Sequence, residues 1–114
     1  MSFWRKDVVG FALSPETVRQ IDGLRDWIAR EPANPQPYFR LAQFYRMEDR
    51  TEEALGLLLE AVRLDPAFAD AHAALAESFA VRADGAAAWR HARQAERNGN
   101  SRGVELLNRQ RVAE

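Results

Sequence analysis

Apolar side chains recur every three to four residues along most of the chain, and strict apolar–polar alternation occurs nowhere. A spacing of three to four is typical of an α-helix with one buried face, whereas alternation is typical of a β-strand. Val18, Ile21, Leu24 and Ile28 give the clearest example of the helical spacing. The pattern therefore predicts an all-α protein.

Prolines, glycines and capping residues divide this pattern into six predicted helices. Ser14 can cap the first helix, Thr51 the third and Ser101 the last, because a hydroxyl oxygen can accept a hydrogen bond from a free N–H group at the start of a helix. The Asn98–Gly99 pair predicts a left-handed end to the fifth helix. We expect helices from Pro15 to just before Pro32, over about 36–47, from just after Thr51 to just before Pro66, over about 70–82, over 86–98, and from about Ser101 to near Val112.

Residue types repeat at a shift of thirty-four positions. On the first helix of the repeated pair, the shift carries large and small residues onto similar ones: Tyr38 onto His72, Leu41 onto Leu75, Ala42 onto Ala76 and Tyr45 onto Phe79. On the second helix it carries Ala54, Leu58 and Ala61 onto Ala88, Ala92 and Ala95. Small residues let the second helix pack closely on the first, and a unit this short buries its apolar face by stacking on a copy of itself.

These positions resemble the pattern of the tetratricopeptide repeat family. The family asks for an aromatic, a leucine, a small residue and a tyrosine on its first helix, then for alanine, a large apolar residue, alanine and a closing proline. Residues 35–68 match at every one of these positions, ending on Pro66. Residues 69–102 match less well, with His72, Ala92 and Asn100 as departures, and residues 15–34 resemble a half-repeat in which Trp27 replaces an alanine.

The resemblance implies a right-handed α-solenoid of antiparallel helix hairpins. We expect a half-repeat at 15–34, full repeats at 35–68 and 69–102, and a capping helix at 101–112. Residues 1–14 form a separate N-terminal segment.

The resemblance also implies a binding scaffold, whose stacked first helices line a concave groove for a peptide or helix of another protein. Phe39 is either covered by Trp27 or by the N-terminal segment, or it anchors a ligand. A terminal carboxylate is not the expected ligand, because the positions of the family's basic clamp carry no basic residue. The implied groove residues are Gln36, Phe39, Gln43, Arg46, Asp70, Ala73, Glu77 and Ala80.

The N-terminal segment is richer in aromatic residues than a disordered tail normally is. It can pack on its own helices as a first helix, insert into a second molecule, or, on weaker grounds, meet a membrane surface. We favour packing on its own chain or on a partner. The contact residues that we expect in this segment are Phe3, Trp4, Val8 and Phe11.

Candidate chemistry is sparse. The chain contains no cysteine, which excludes disulfides and thiolate sites. His72 occupies a packing position, and His91 lies between Arg90 and Arg93, which would repel a metal ion. The adjacent Glu52 and Glu53 point in different directions on a helix and suit its start better than catalysis. We therefore expect no catalytic residue, cofactor or metal site, and no enzyme.

Charge and hydropathy limit the classes of partner that we expect. The net charge of −1 gives no general attraction to nucleic acid or membrane, although residues 85–114 carry six arginines against three glutamates. No apolar run approaches the ~20 residues of a membrane span, and no signal peptide is expected. We expect a cytoplasmic, non-catalytic protein-interaction module, a scaffold subunit or assembly factor of a larger complex. The alternatives are a self-assembling subunit joined through residues 1–14 and, less favoured, an anion or nucleic-acid binder using the C-terminal arginines.

Overall fold

The computed structural model describes residues 14–114, and every regular element in that range is an α-helix. Six helices follow one another along the chain, and the all-α prediction is confirmed. The helices are α1 (Pro15–Arg30), α2 (Pro35–Met47), α3 (Thr51–Leu64), α4 (Ala69–Val81), α5 (Gly85–Arg97) and α6 (Arg102–Arg109). None of these helices of the described range is long and apolar enough to cross a membrane.

Each helix packs on the next, and the closest pairs are α2 with α3 and α4 with α5. Helix α6 packs on both α4 and α5. The alanines that the thirty-four-residue shift brings into register are buried, and Ala54 and Ala88 are at most 1% exposed. Small side chains at these positions allow the close helix pairing that the sequence predicts. The core forms two clusters, one centred on α2 and α3 and one on α5 and α6.

The turn that leaves α2 recurs in the turn that leaves α4. Asp49 and Ala83, thirty-four residues apart, have left-handed φ angles of 64° and 61°. In the first turn the Arg50 N–H donates to the Tyr45 carbonyl at 2.8 Å, and in the second the Asp84 N–H donates to the Phe79 carbonyl at 2.9 Å. These bonds satisfy carbonyls that a helix end would otherwise leave free. The two helices of each hairpin are therefore joined by the same turn.

Two of the predicted helix caps are wrong. Thr51 is the first helical residue, and the residue before it, Arg50, makes no side-chain cap but binds Glu53, with Nε 2.8 Å from Oε1. Ser101 stands at the cap of α6, yet its hydroxyl lies 2.8 Å from the carboxylate of Glu105 instead of accepting a backbone N–H. The cap at Ser14 is confirmed, since its hydroxyl accepts from the Thr17 N–H at 3.1 Å.

The last helix ends at Arg109, earlier than the predicted end near Val112. Beyond it the chain turns back over α5, where the Val112 carbonyl accepts from the indole N–H of Trp89 at 2.9 Å. Arg111 has a left-handed φ of 59°, and the Val112 N–H donates to the Leu107 carbonyl at 3.0 Å. The predicted left-handed end of α5 is confirmed by Gly99, whose φ is 102°.

Candidate partner-binding groove

An ion pair joins the C-terminal end of α2 to α4. The guanidinium of Arg46 binds the carboxylate of Glu77, and its other terminal nitrogen donates to the Gln43 amide oxygen at 3.0 Å. The side chain of Arg46 is 27% exposed and that of Glu77 is 47% exposed. Because both groups remain in contact with water, this pair can exchange its bonds with a ligand at modest cost.

Three cavities adjoin this ion pair, and two of them meet at Glu77 and Arg102, on the side of α6. The larger of these two has a volume of about 400 Å³ and the smaller about 160 Å³. Glu77 and Arg102 line both of them, so the two form a continuous surface along α2, α4 and α6. We call this surface the groove, and its lining residues are Gln43, Arg46, Met47, Ala73, Glu77, Arg102, Gly103, Leu106 and Arg109.

The close approach of α6 builds one wall of the groove. A Cβ at Gly103 would lie 3.1 Å from the Cβ of Ala76 and 3.2 Å from the Cβ of Ala92. Three residues without large side chains therefore let α6 lie tightly on α4 and α5. This packing places Arg102, Leu106 and Arg109 along one wall of the groove.

The structure brings half of the predicted site residues into this groove. Gln43, Arg46, Ala73 and Glu77 line it, and Ala73 is 4% exposed. The other four line neither cavity. Gln36 is exposed at the start of α2, Phe39 is half-buried, Asp70 accepts from the Asn100 amide at 2.9 Å, and Ala80 packs against the second core cluster.

Phe39 has a neighbour that the sequence did not indicate. Its ring lies 5.1 Å from the ring of Phe68, with an angle of 50° between the two planes. Phe68 directly precedes α4, so the two aromatic rings span the junction between consecutive hairpins. Trp27 lies near another residue, since the guanidinium of Arg40 is 5.8 Å from the centre of its ring.

Five groove residues were not among the predicted groove positions. Four of them, Arg102, Gly103, Leu106 and Arg109, were missed because the resemblance assigned α6 to a cap, and its arginines were considered only in the anion-binding alternative. Met47, 74% exposed at the end of α2, was missed because the groove positions were taken from the interior of the helices. A signal for it existed, since Val81 stands thirty-four residues later and is 83% exposed. Large apolar residues that stay in water at matching places in two repeats indicate a contact surface.

The two histidines form a pair between α4 and α5. His72 is 6% exposed, as its packing position predicts, and its Nδ1 lies 3.0 Å from Nδ1 of His91. The His91 ring stacks on Phe79 at 5.6 Å. Within residues 14–114 no group of three or more His, Cys, Asp or Glu side chains could hold a metal ion.

The C-terminal arginines differ in their surroundings. Arg93 binds Glu114 with Nε 2.8 Å from Oε2, binds Glu96 at 3.0 Å, and lies 5.0 Å above the ring of Trp89. These carboxylates raise the pKa of the Arg93 guanidinium. Arg102 and Arg109 instead face the groove. Arg102 and Arg109 are therefore the C-terminal arginines that a ligand in the groove can reach.

The predicted N-terminal contact residues, Phe3, Trp4, Val8 and Phe11, lie outside the described residues. The structure therefore places none of them.

A tetratricopeptide repeat family model matches residues 16–95 of the chain. The match covers most of the chain, so the protein belongs to the tetratricopeptide repeat family, and its helices form a helical repeat solenoid. Members of this family typically bind other proteins and are typically not enzymes. No curated protein matches the chain.

Proposed function

We propose that the groove binds a peptide or helix of another protein, and that the chain acts without catalysis as a scaffold subunit or assembly factor. The observation that carries this proposal is the pair of cavities that meet beside Arg46 and Glu77. They combine polar groups that can fix the register of a bound chain with apolar surface at Met47 and Leu106. Both kinds of contact are needed to bind a protein segment specifically.

The charges of the groove indicate the character of the partner. Three arginines, Arg46, Arg102 and Arg109, surround the single carboxylate Glu77. A partner segment with acidic side chains next to apolar ones would complement this surface, because guanidinium groups bind carboxylates through two parallel hydrogen bonds. The small side chain of Ala73 leaves room for a partner side chain at the floor.

A photo-crosslinking amino acid at Met47, which lines the groove and is 74% exposed, tests the proposal. We expect it to capture a protein from the native cell, identified by mass, whereas the same group at Arg63, exposed on α3, captures none specifically. Capture of the same proteins from both positions, or from neither, would contradict the proposal.

A charge exchange provides the control for specificity. In the double variant Arg46→Glu with Glu77→Arg, the ion pair is retained with its polarity reversed. A purely structural role would leave both the fold and the capture unchanged. If the partner recognises the charges of the groove, its capture should be lost, whereas the melting temperature should stay close to that of the parent.

A further inference from the structure

Another cavity, of about 410 Å³, lies between α1 and α2, and its lining is largely apolar. It is separate from the groove except for Gln43, which borders both. We call it the N-terminal cleft. Its lining residues are Gln20, Gly23 and Leu24 of α1 and Arg40, Gln43 and Phe44 of α2.

Comparison with the next hairpin shows that, among the described residues, α1 lacks a helix packed on one of its faces. Three residues of α3 are at most 1% exposed because α2 packs on them: Ala54, Leu58 and Ala61. The residues thirty-four positions earlier on α1 are Gln20, Leu24 and Trp27. Gln20 is exposed, and the other two are only half-buried. The face of α1 that corresponds to the packed face of α3 therefore borders the cleft.

The same comparison holds for α2. Arg40 is exposed, whereas Ala74, thirty-four residues later on α4, is 2% exposed. Helix α4 follows a complete hairpin, but α2 follows α1 alone within residues 14–114. One further helix, placed against both α1 and α2, would complete the first hairpin and cover the cleft.

The N-terminal segment of the chain carries the residue types for that helix. Thirty-four residues before Tyr38, Ala42 and Tyr45 stand Trp4, Val8 and Phe11, two aromatic residues and an apolar residue at matching positions. We propose that residues 3–11 of the same chain form a helix that fills the N-terminal cleft in this register, with residues 12–14 as the connection to α1. The inference does not rest on the proposed function of the groove.

The connection to α1 has a suitable length. Residues 3–11 as a helix span about 13 Å, and α1 spans about 24 Å. Ser14 caps α1 directly after the segment, so the two helices would be joined by a short loop of two to three residues, within the range of αα-hairpins. A segment tethered this closely has an effective concentration in the millimolar range, which favours its own cleft over that of a second copy.

One position departs from the pattern. Asp7 falls on Leu41, which is 4% exposed. A carboxylate at a packing position weakens a helix contact, because burying a charge costs free energy. The proposal therefore predicts that Asp7→Leu raises the melting temperature of the full chain. An unchanged or lower melting temperature would count against the register.

Glycine substitutions at two similar sites test whether the cleft is filled. A Cβ at Gly23, in the cleft, or at Gly56, on the exposed surface of α3, would meet no atom of the described residues within 4 Å. Glutamine is a better helix former than glycine, so Gly56→Gln should raise the melting temperature by about 4 °C. Gly23→Gln should lower it, since its side chain displaces the docked helix. An equal rise at both sites would overturn the proposal.

A background variant separates docking from local effects. When Trp4→Ser and Phe11→Ser have weakened the docked helix, Gly23→Gln should raise the melting temperature as Gly56→Gln does. If it still lowers the melting temperature, then the effect of Gly23→Gln is local and the proposal fails.

Disulfide trapping identifies the occupant directly, because the chain has no cysteine of its own. In the proposed register Val8 and Gln20 correspond to Ala42 and Ala54, which lie in one core cluster. Val8 should therefore lie opposite Gln20. Full-length Val8→Cys with Gln20→Cys should therefore oxidise to a monomer with an internal disulfide, whereas Val8→Cys with Gly56→Cys should not. Covalent dimers would assign the cleft to a second copy, and absence of any disulfide would indicate a free segment. Either result overturns the proposal.

Discussion

The Nδ1 atoms of His72 and His91 lie 3.0 Å apart, and Nε2 of His72 lies 2.8 Å from the Pro66 carbonyl oxygen. Because a carbonyl only accepts, His72 carries its proton on Nε2 and presents the lone pair of Nδ1 to His91. His91 must then donate from Nδ1, so the tautomers of both neutral rings are fixed.

The histidine pair predicts a loss of stability in mild acid. Burial, the neighbouring His72 and then Arg90 lower the pKa of His91 from 6.5 to about 4. Unfolded His91 binds a proton near pH 6.5, whereas folded His91 does so only near pH 4, so the free energy of unfolding falls as the pH falls between these values. The ring is only half-buried and partly screened by water, so we expect a loss of about 1 kcal/mol.

Urea unfolding at pH 7 and pH 5 measures this loss. His91→Asn keeps a donor for Nδ1 of His72 and removes the titrating ring, so it should show a smaller difference between the two pH values. The same difference in parent and variant would exclude His91 as its source.

Enlarging a buried alanine should destabilise the hairpins. Ala54 and Ala88 are at most 1% exposed, so Ala54→Leu or Ala88→Leu should overpack the helix pair and cost about 1–3 kcal/mol. Ala86 is exposed on the same helix as Ala88, and Ala86→Leu should change stability by less than about 0.5 kcal/mol. Urea midpoints distinguish the three variants, and equal midpoints would contradict the packing register.

Two substitutions at Tyr45 distinguish the contribution of its ring to stability from that of its hydroxyl. The side chain is 5% exposed, lies under the guanidinium of Arg50 at 4.1 Å, and accepts a hydrogen bond from Arg25 at its hydroxyl. Tyr45→Ala leaves a cavity and should cost about 3–5 kcal/mol. Tyr45→Phe loses only the hydrogen bond and should cost about 1 kcal/mol. Equal losses in denaturant melts would show that the ring contributes little.

Exchanging glycine and alanine at two helix ends should have opposite effects. Ala83 has a left-handed φ of 61°, which costs a residue with a Cβ about 1 kcal/mol, so Ala83→Gly should raise the melting temperature. Gly99 has a φ of 102° with no atom within 4 Å of a Cβ, so Gly99→Ala should lower it through backbone strain alone. Calorimetry of both variants is the measurement, and shifts of the same sign would refute the explanation.

The helices and their pairing could be predicted from the sequence because they depend on local patterns. The spacing of apolar residues marks each buried face, and Ala54 and Ala88 mark where two helices come close. The predicted caps at Thr51 and Ser101 failed for other reasons: the helix begins one residue earlier than predicted, so that Thr51 lies inside it, and the Ser101 hydroxyl binds the Glu105 carboxylate. Capping residue types alone do not reveal such competing partners.

The site was less accessible to prediction because it depends on distances between helices. The contact between His72 and His91 joins α4 to α5, and no spacing along one helix indicates it. The groove wall on α6 depends on how closely Gly103 approaches Ala76 and Ala92, which the sequence does not specify. The division of the chain at residues 34, 68 and 102, and the ligand-binding roles of the groove residues, stay predictions.

Both kinds of turn in the chain recur at a shift of thirty-four residues. Asp49 and Ala83 mark the turn inside each hairpin, and in the turns between hairpins the Asn34 and Phe68 N–H groups donate to the Glu31 and Asp65 carbonyls, each at 3.0 Å. A second copy of residues 51–84 inserted after Asp84 would contain one turn of each kind, so it would add two helices without changing how the neighbouring helices are connected. We therefore expect the chain to tolerate insertions between its repeats in multiples of thirty-four residues, because another length would leave a helix without its packing partner.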